Sequence, residues 1–162
     1  MKQNKKGIID MLFFVIALFV LAILIISSYF ILSETETKMN ESGVIEDSEL
    51  TILTDFKSDY VGITEFIFTA SLFGIVIFVI VSSFFIRSHP ALIMVGILAL
   101  IIFGYFALIL SGTWSEIVGT AQFAPYESQY TIIPYVMENF HYFVLALFTL
   151  VAIVFYGKKP DI

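Results

Sequence analysis

The sequence predicts an all-α protein: an integral membrane four-helix bundle with short amphipathic helices in its outer loops. Three observations lead there. Hydrophobic residues make up 59% of the 162 positions and charged residues only 14%, against about 45–50% and about 25% in an average soluble domain. The charges are not spread along the chain but leave four long runs free of Asp, Glu, Lys and Arg. The basic and acidic residues also separate to opposite ends of those runs. A mean hydropathy of +0.98 is more than one soluble core of this size can bury, so part of the chain has lipid as its solvent.

The first run, Met11 to Ser33, holds no ionisable group except Tyr29. A spanning helix needs roughly 20 mostly apolar residues, which predicts a first span over 8–32. Its length exceeds the core of a cleaved signal peptide, and no Ala-x-Ala site follows. "KKGIID" is similar to a type IV prepilin leader, but Asp10 follows Gly7 by three positions where that leader places its acid at five. Phe66 to Ile86 and Ala91 to Ser115 predict spans over 62–87 and 90–111. Tyr142 to Gly157 is shorter and reaches spanning length if its helix starts upstream, giving 134–157. No proline falls inside a span, so each backbone is expected to be continuous.

Between the second and third spans stands "FFIRSHPALI". Arg87 suits the negative end of the second helix, Ser88 or His89 the N-cap of the third, and Pro90 its first turn, where a missing N–H costs nothing. The stretch is an inner-face turn. Lys2, Lys5, Lys6, Arg87, Lys158 and Lys159 share one side of a four-span layout, while twelve of the fourteen acids fall in the two other loops and the adjoining helix ends. The positive-inside rule then places both termini on the cytoplasmic side. The outer loops are 33–61 and 112–133.

In the first outer loop, "SETETKMNESG" extends the first helix to a break at Gly43. Leu50, Leu53, Phe56 and Tyr60 follow at helical spacing, with acids between them. They predict a short amphipathic helix packed on protein, since its acidity opposes anionic lipid. In the second loop, Trp114, Ile117, Val118 and Phe123 are too apolar for free chain and predict a short interfacial helix over 115–121, then a turn over 124–126. Tyr29, Trp114, Tyr135, Tyr142 and Tyr156 fall near span ends, as an aromatic belt does.

Small residues mark packing faces in lipid. Ala70, Gly74 and Ser82 form one such stripe in the second span. Gly96, Gly104, Ala107 and Ser111 form another in the third, and the two stripes are expected to face each other. Glu138 and His141, three apart at the outer end of the fourth span, form a rim pair. Two such residues do not make a metal site, and no calcium-loop, HExxH, phosphate-loop or nucleophile–base pattern occurs. No span carries an ionisable side chain at depth, where transport chemistry places one. The expectation is a non-enzymatic chain with no cofactor. Its partners would be the lipid bilayer, other membrane or capsid-like proteins and further copies of itself, and not nucleic acid, since it carries a net charge of −6 and no basic tract.

"KKGIID", "FFIRSHP" and "FYGKK" resemble a group of small four-span membrane proteins of unknown function found in phage genomes and in small-genome archaea and bacteria. Gly7, Asp10, His89, Pro90, Tyr156, Gly157 and Lys158 are the matching positions. Where this chain has Arg-Ser-His-Pro, that group often has Thr-His-Pro. The resemblance implies a membrane or virion context and no activity. Three roles follow. The first is a structural or assembly component docking partners through acidic outer loops. The second is a small holin-like or channel-like pore lined by Ser27, Ser28, Ser82 and Ser83. The third is an accessory subunit of a transporter or enzyme complex.

Overall fold

The computed structural model describes residues 3–43, 47–85 and 90–157, and within them the side chains of residues 13–43, 49, 51–81 and 98–154. All regular structure among them is helical: α1 (Gln3–Ser42), α2 (Asp47–Phe85), α3 (Pro90–Val118), α4 (Ala124–Glu127), α5 (Ile132–Glu138) and α6 (Phe140–Gly157). Three helices are long and apolar enough to cross a membrane, and α5 with α6 makes a fourth candidate if that bent pair is one span. This is the pattern of a multi-pass membrane protein.

Helix is what lipid demands here. Without water, each backbone N–H and C=O must be paired within the chain. Within α1, α3 and α6 the residues are dominated by Leu, Ile, Phe, Val and Ala, so few side chains compete with the backbone for its hydrogen bonds. α1 ends where Gly43 adopts φ +62° and donates its N–H to the Asn40 carbonyl at 3.3 Å, a left-handed stop that glycine takes without a Cβ penalty. α3 ends at Val118, and Gly119 follows with its N–H on the Ser115 carbonyl at 3.0 Å. A Cβ at that position would lie 2.7 Å from the same backbone oxygen.

α1 and α2 form an antiparallel hairpin whose register can be followed through side chains. Phe14 meets Phe78 with ring centroids 5.1 Å apart, Tyr29 meets Tyr60 at 6.3 Å, and Glu36 meets Lys57 at 2.7 Å. At 1.5 Å rise, the stretch from Phe14 to Glu36 keeps the two helices in contact over about 33 Å. α2 also packs on α6, and α3 packs chiefly on α6. The core runs from Val15, Leu18 and Ala22 on α1 through Phe68 on α2 to Phe103, Ala107 and Trp114 on α3 and Phe140 and Val144 on α6.

The helices run further than expected. The 47–60 segment is not a separate amphipathic helix; it is the first third of α2, continuous with the span. Residues 115–118 are the last turn of α3, not a helix of their own, and 124–127 is a helical turn. The fourth span is not continuous: α5 and α6 meet at Asn139 with a bend of 75°.

The outer joint is aromatic. Tyr29 on α1 lies against Tyr60 on α2, Tyr126 on α4 at 6.1 Å and Tyr130 at 5.6 Å, while Phe30 meets Phe123 at 5.4 Å and Tyr126 at 5.3 Å. Tyr29 and Tyr130 are buried. Edge-to-face rings add about 0.5–1.5 kcal/mol per pair beyond burial. Tyr29→Ala is therefore expected to lower stability by about 3–5 kcal/mol, whereas Lys57→Met, which removes one partly exposed ion pair, should cost no more than about 1 kcal/mol. Thermal unfolding in detergent, followed by emission of Trp114, the chain's single tryptophan, measures both.

Candidate functional site

The polar chemistry of the described residues gathers at one end of the bundle, in the extension of α1 and α2 and in a cap built from the ends of α3, α4 and α5. The cap is tied down by three side chains. Glu65 on α2 accepts the backbone N–H groups of Thr131 and, at 2.7 Å, of Ile132 through one carboxylate oxygen. It supplies from another helix the acceptor that the start of α5 needs, since Thr131 makes no side-chain cap there. At the other end of α5, Asn139 takes φ −99°, ψ 20° and its amide donates to the Tyr135 carbonyl at 2.9 Å. The Glu138 carbonyl, left without its helical partner by the bend, accepts from the Ser111 hydroxyl of α3 at 2.5 Å.

One turn beyond Ser111 lies Trp114, fully buried. Its indole N–H is close enough to the Glu127 carboxyl to act on its ionisation, yet neither Trp114 Nε1 nor Glu127 Oε1 completes a hydrogen bond. Burial raises the Glu127 pKa above its ordinary value, the charge of Glu138 adds to the rise, and the Trp114 indole opposes it. Burial likewise pushes the Tyr130 phenol up, against the pull of Thr64; its OH also lacks a hydrogen-bond partner among the described residues.

The residues singled out in the sequence fall in different surroundings. On α3, Ala107 is fully buried and Ser111 nearly so, on the side that packs on α5 and α6. On α2, Ala70 and Gly74 are exposed, and a Cβ at Gly74 or Gly104 would meet nothing within 4 Å. The two small-residue stripes therefore do not face each other among the described residues; α3 turned its small side to α6. Gly74 and Ser71 instead line a shallow apolar groove with Phe14, Ala17, Leu21 and Phe78. The side chains of Ser82 and Gly96 lie outside the described residues, as do Arg87, Ser88 and His89; Pro90 opens α3 as expected. Glu138 and His141 are not joined. The break at Asn139 puts them on different helices, so three-residue spacing no longer places them on one face, and the His141 ring lies against Tyr142 at 4.1 Å. Trp114 and Tyr29 belong to the core rather than to a rim belt, while Tyr135 and Tyr142 are exposed as a belt requires.

Among the described residues no three His, Asp or Glu side chains are placed to hold a metal ion. Three hydroxyls within the spans are turned to their own backbones: Ser28 to the Leu24 carbonyl, Ser71 to Ile67 and Thr149 to Leu145, each at 2.7–2.8 Å; the buried Thr69 hydroxyl on α2 has no hydrogen-bond partner among the described residues. Glu65, Asn139 and Thr64 did not stand out in the sequence as site residues. A lone Asn ahead of an apolar run is the signal that marks the stop at 139, because its amide competes with the helix ladder.

No protein-family model matches this chain, no curated protein resembles it in sequence, and no solved structure matches its fold.

Two outcomes are expected. Ser111→Ala removes the hydroxyl that donates to the Glu138 carbonyl and should cost about 0.5–1.5 kcal/mol, while Ser111→Thr, which keeps a hydroxyl there, should retain most of the stability. Because folding raises the Glu127 pKa above 4.5, the associated stabilisation is present below that ordinary value and is lost as pH rises through the raised one. The difference in melting temperature between the parent and Glu127→Gln should thus change across that window. A pH-independent difference contradicts the assignment.

Proposed function

We propose that this chain is a non-enzymatic scaffold of a membrane assembly, a four-helix bundle with both termini on the inner side that docks partner proteins through its acidic outer face. The observation that carries the reading is the reach of the first hairpin. α1 has 40 residues and α2 has 39, about 60 Å each at 1.5 Å rise, against a hydrocarbon core of about 30 Å. Their excess lies where the charges are: Glu34, Glu36, Lys38 and Glu41 on α1, and Glu49, Asp55, Lys57 and Asp59 on α2. The Glu36–Lys57 pair, with Thr54 donating to Glu36 at 2.9 Å, supports a joined two-helix stalk standing above the membrane.

The chemistry of the rest agrees with a supporting role. The described spanning stretches carry no deep charge, and the hydroxyls of Ser28, Ser71 and Thr149 bond to their own backbones. The broken span is filled by Ser111 and Asn139 rather than opened onto a cavity, unlike the interrupted helices that bind solutes in transporters. The resemblance of "KKGIID", "FFIRSHP" and "FYGKK" to small four-span proteins extends the proposal to the membrane of a phage or virus.

The test is gentle purification of tagged protein from its native source, with particle mass and co-purifying chains determined together. Stoichiometric partner proteins are the expected result; a homo-oligomer without partners that conducts ions in liposomes would replace this reading with a pore. For topology, a cysteine at Ser48 should label from the outside and one at Ser88 only from the inside. The reverse pattern would overturn the charge argument.

A further inference from the structure

Large exposed apolar side chains are common in this protein, and most need no partner. Phe73, Ile77, Leu98 and Ile101 sit within charge-free stretches, where lipid covers them. Ile52, Phe56 and Ile63 are different. They are 69%, 53% and 56% exposed, and all three precede Glu65, the last charge before the apolar run of α2. Thr54 and Lys57 in the same stretch bind Glu36 on α1, so Ile52 and Phe56 stand at the level of the stalk's charges, in water.

Their spacing makes one surface. Positions 52, 56, 59 and 63 advance by four, three and four residues and fall on one helical face. The opposite face carries Lys57, Val61, Thr64 and Phe68, of which Thr64 and Phe68 are buried against the rest of the protein. The outward face also carries acid. Asp59 lies between Phe56 and Ile63, and Asp55 lies beside them, both exposed. The cation on the same stretch of α2 does not neutralise them: the Lys57 ammonium is 2.7 Å from Glu36 and 5.6 Å from the Tyr29 ring centre, on the inward side of the helix.

We propose that this outward face of α2, Ile52–Asp55–Phe56–Asp59–Ile63, docks a basic amphipathic helix of a partner protein. Ile52 and Phe56, with Ile63 aligned below them at the edge of the apolar run, are anchors of the helix-recognition kind, read at spacings of four and seven. The two uncompensated aspartates select the sign of the partner's flanking charge. A second copy of this chain is the wrong complement, because it would set Asp55 and Asp59 against their own counterparts. Anionic lipid is repelled for the same reason. The inference rests on the docking reading above and names the face and the partner's chemistry.

The test uses the full chain in nanodiscs of zwitterionic lipid, with empty nanodiscs as reference. The probe is a fluorescent synthetic helix of about 18 residues, five turns, with a leucine face flanked by Lys and Arg; its twin carries Glu at those flanks. The basic helix should bind chain-bearing discs at least about tenfold tighter than empty ones, a factor worth about 1.4 kcal/mol, and the acidic twin should not. Ile52→Ser with Phe56→Ser should abolish most of that gain, and Asp55→Asn with Asp59→Asn should weaken it and flatten its salt dependence. Trp114 emission, remote from these positions in sequence, reports that each variant is folded. Binding indifferent to both double substitutions, or equal on empty discs, overturns the proposal, as does a disulfide joining two copies through Phe56→Cys. If partners co-purify with the parent chain and equally with Ile52→Ser/Phe56→Ser, this face is wrong and the docking reading stands. If none co-purifies with either, the docking reading itself falls.

Discussion

The whole structure depends on the absence of water around the spanning backbone. An unpaired peptide group in hydrocarbon costs several kcal/mol, so the chain is helical wherever it crosses and is interrupted only where another group takes over the lost hydrogen bond. The bend at Asn139 shows how tightly this holds. Turning the helix by 75° frees the Glu138 carbonyl, and the Ser111 hydroxyl reaches it from α3. The start of α5 is served by Glu65 from α2. Each irregularity is bound to a polar side chain on a different helix, so the same bonds that satisfy the backbone also fix how α2, α3 and α5 sit against one another.

Thickness is the second consequence of that solvent. A helix of 40 residues is about twice as long as the roughly 30 Å hydrocarbon core needs, and the surplus cannot be hidden. α6, with 18 residues, only just matches the core. The first hairpin therefore rises beyond the rest, and the knot of Tyr29, Tyr60, Tyr126 and Tyr130 sits where it leaves the bundle. Exposure has a different meaning on either side of that knot. Ile77 and Ile52 are 60% and 69% exposed, nearly the same, yet on the proposed placement one meets acyl chains and the other meets water.

The spans were legible because their signal is the simplest one, a lack of charge over about 20 residues. The break at Gly43 was legible too, since a glycine after a polar helical stretch predicts a left-handed stop. The continuity of α2 through 47–60 was hidden by its polarity: Asp, Glu, Lys, Ser and Thr between apolar positions read as a separate amphipathic helix, although none of them forbids one helix running into the span. The bend was hidden for the converse reason. Neither proline nor glycine marks it, and an asparagine at the head of an apolar run looks like an N-cap as readily as a break. Spacing alone identified a small face on α3 but not its partner. Ala107 and Ser111 met α5 and α6 because the bend brought a carbonyl within reach of Ser111, an event with no trace in α3's own sequence.

Where chemistry can happen follows from these same constraints. The spanning surfaces are apolar, and the hydroxyls of Ser28, Ser71 and Thr149 are spent on their own helices, which leaves those surfaces little beyond shape with which to recognise a partner. The outer half has charge, exposed anchors, and buried polar atoms on Trp114, Glu127 and Tyr130 that no hydrogen bond holds. These two parts of the outer half differ in rigidity. The cap is pinned at several points to α1, α2 and α3, so it serves to orient the stalk. In the stalk α2 is joined to α1 through Glu36 and its partners, α1 is joined to α4 where the Tyr126 hydroxyl donates to Glu34, and on the outward face Phe56 rests against Tyr60 of its own helix. On the docking reading proposed above, recognition is concentrated on the stalk, whose outward face sets exposed apolar side chains beside Asp55 and Asp59.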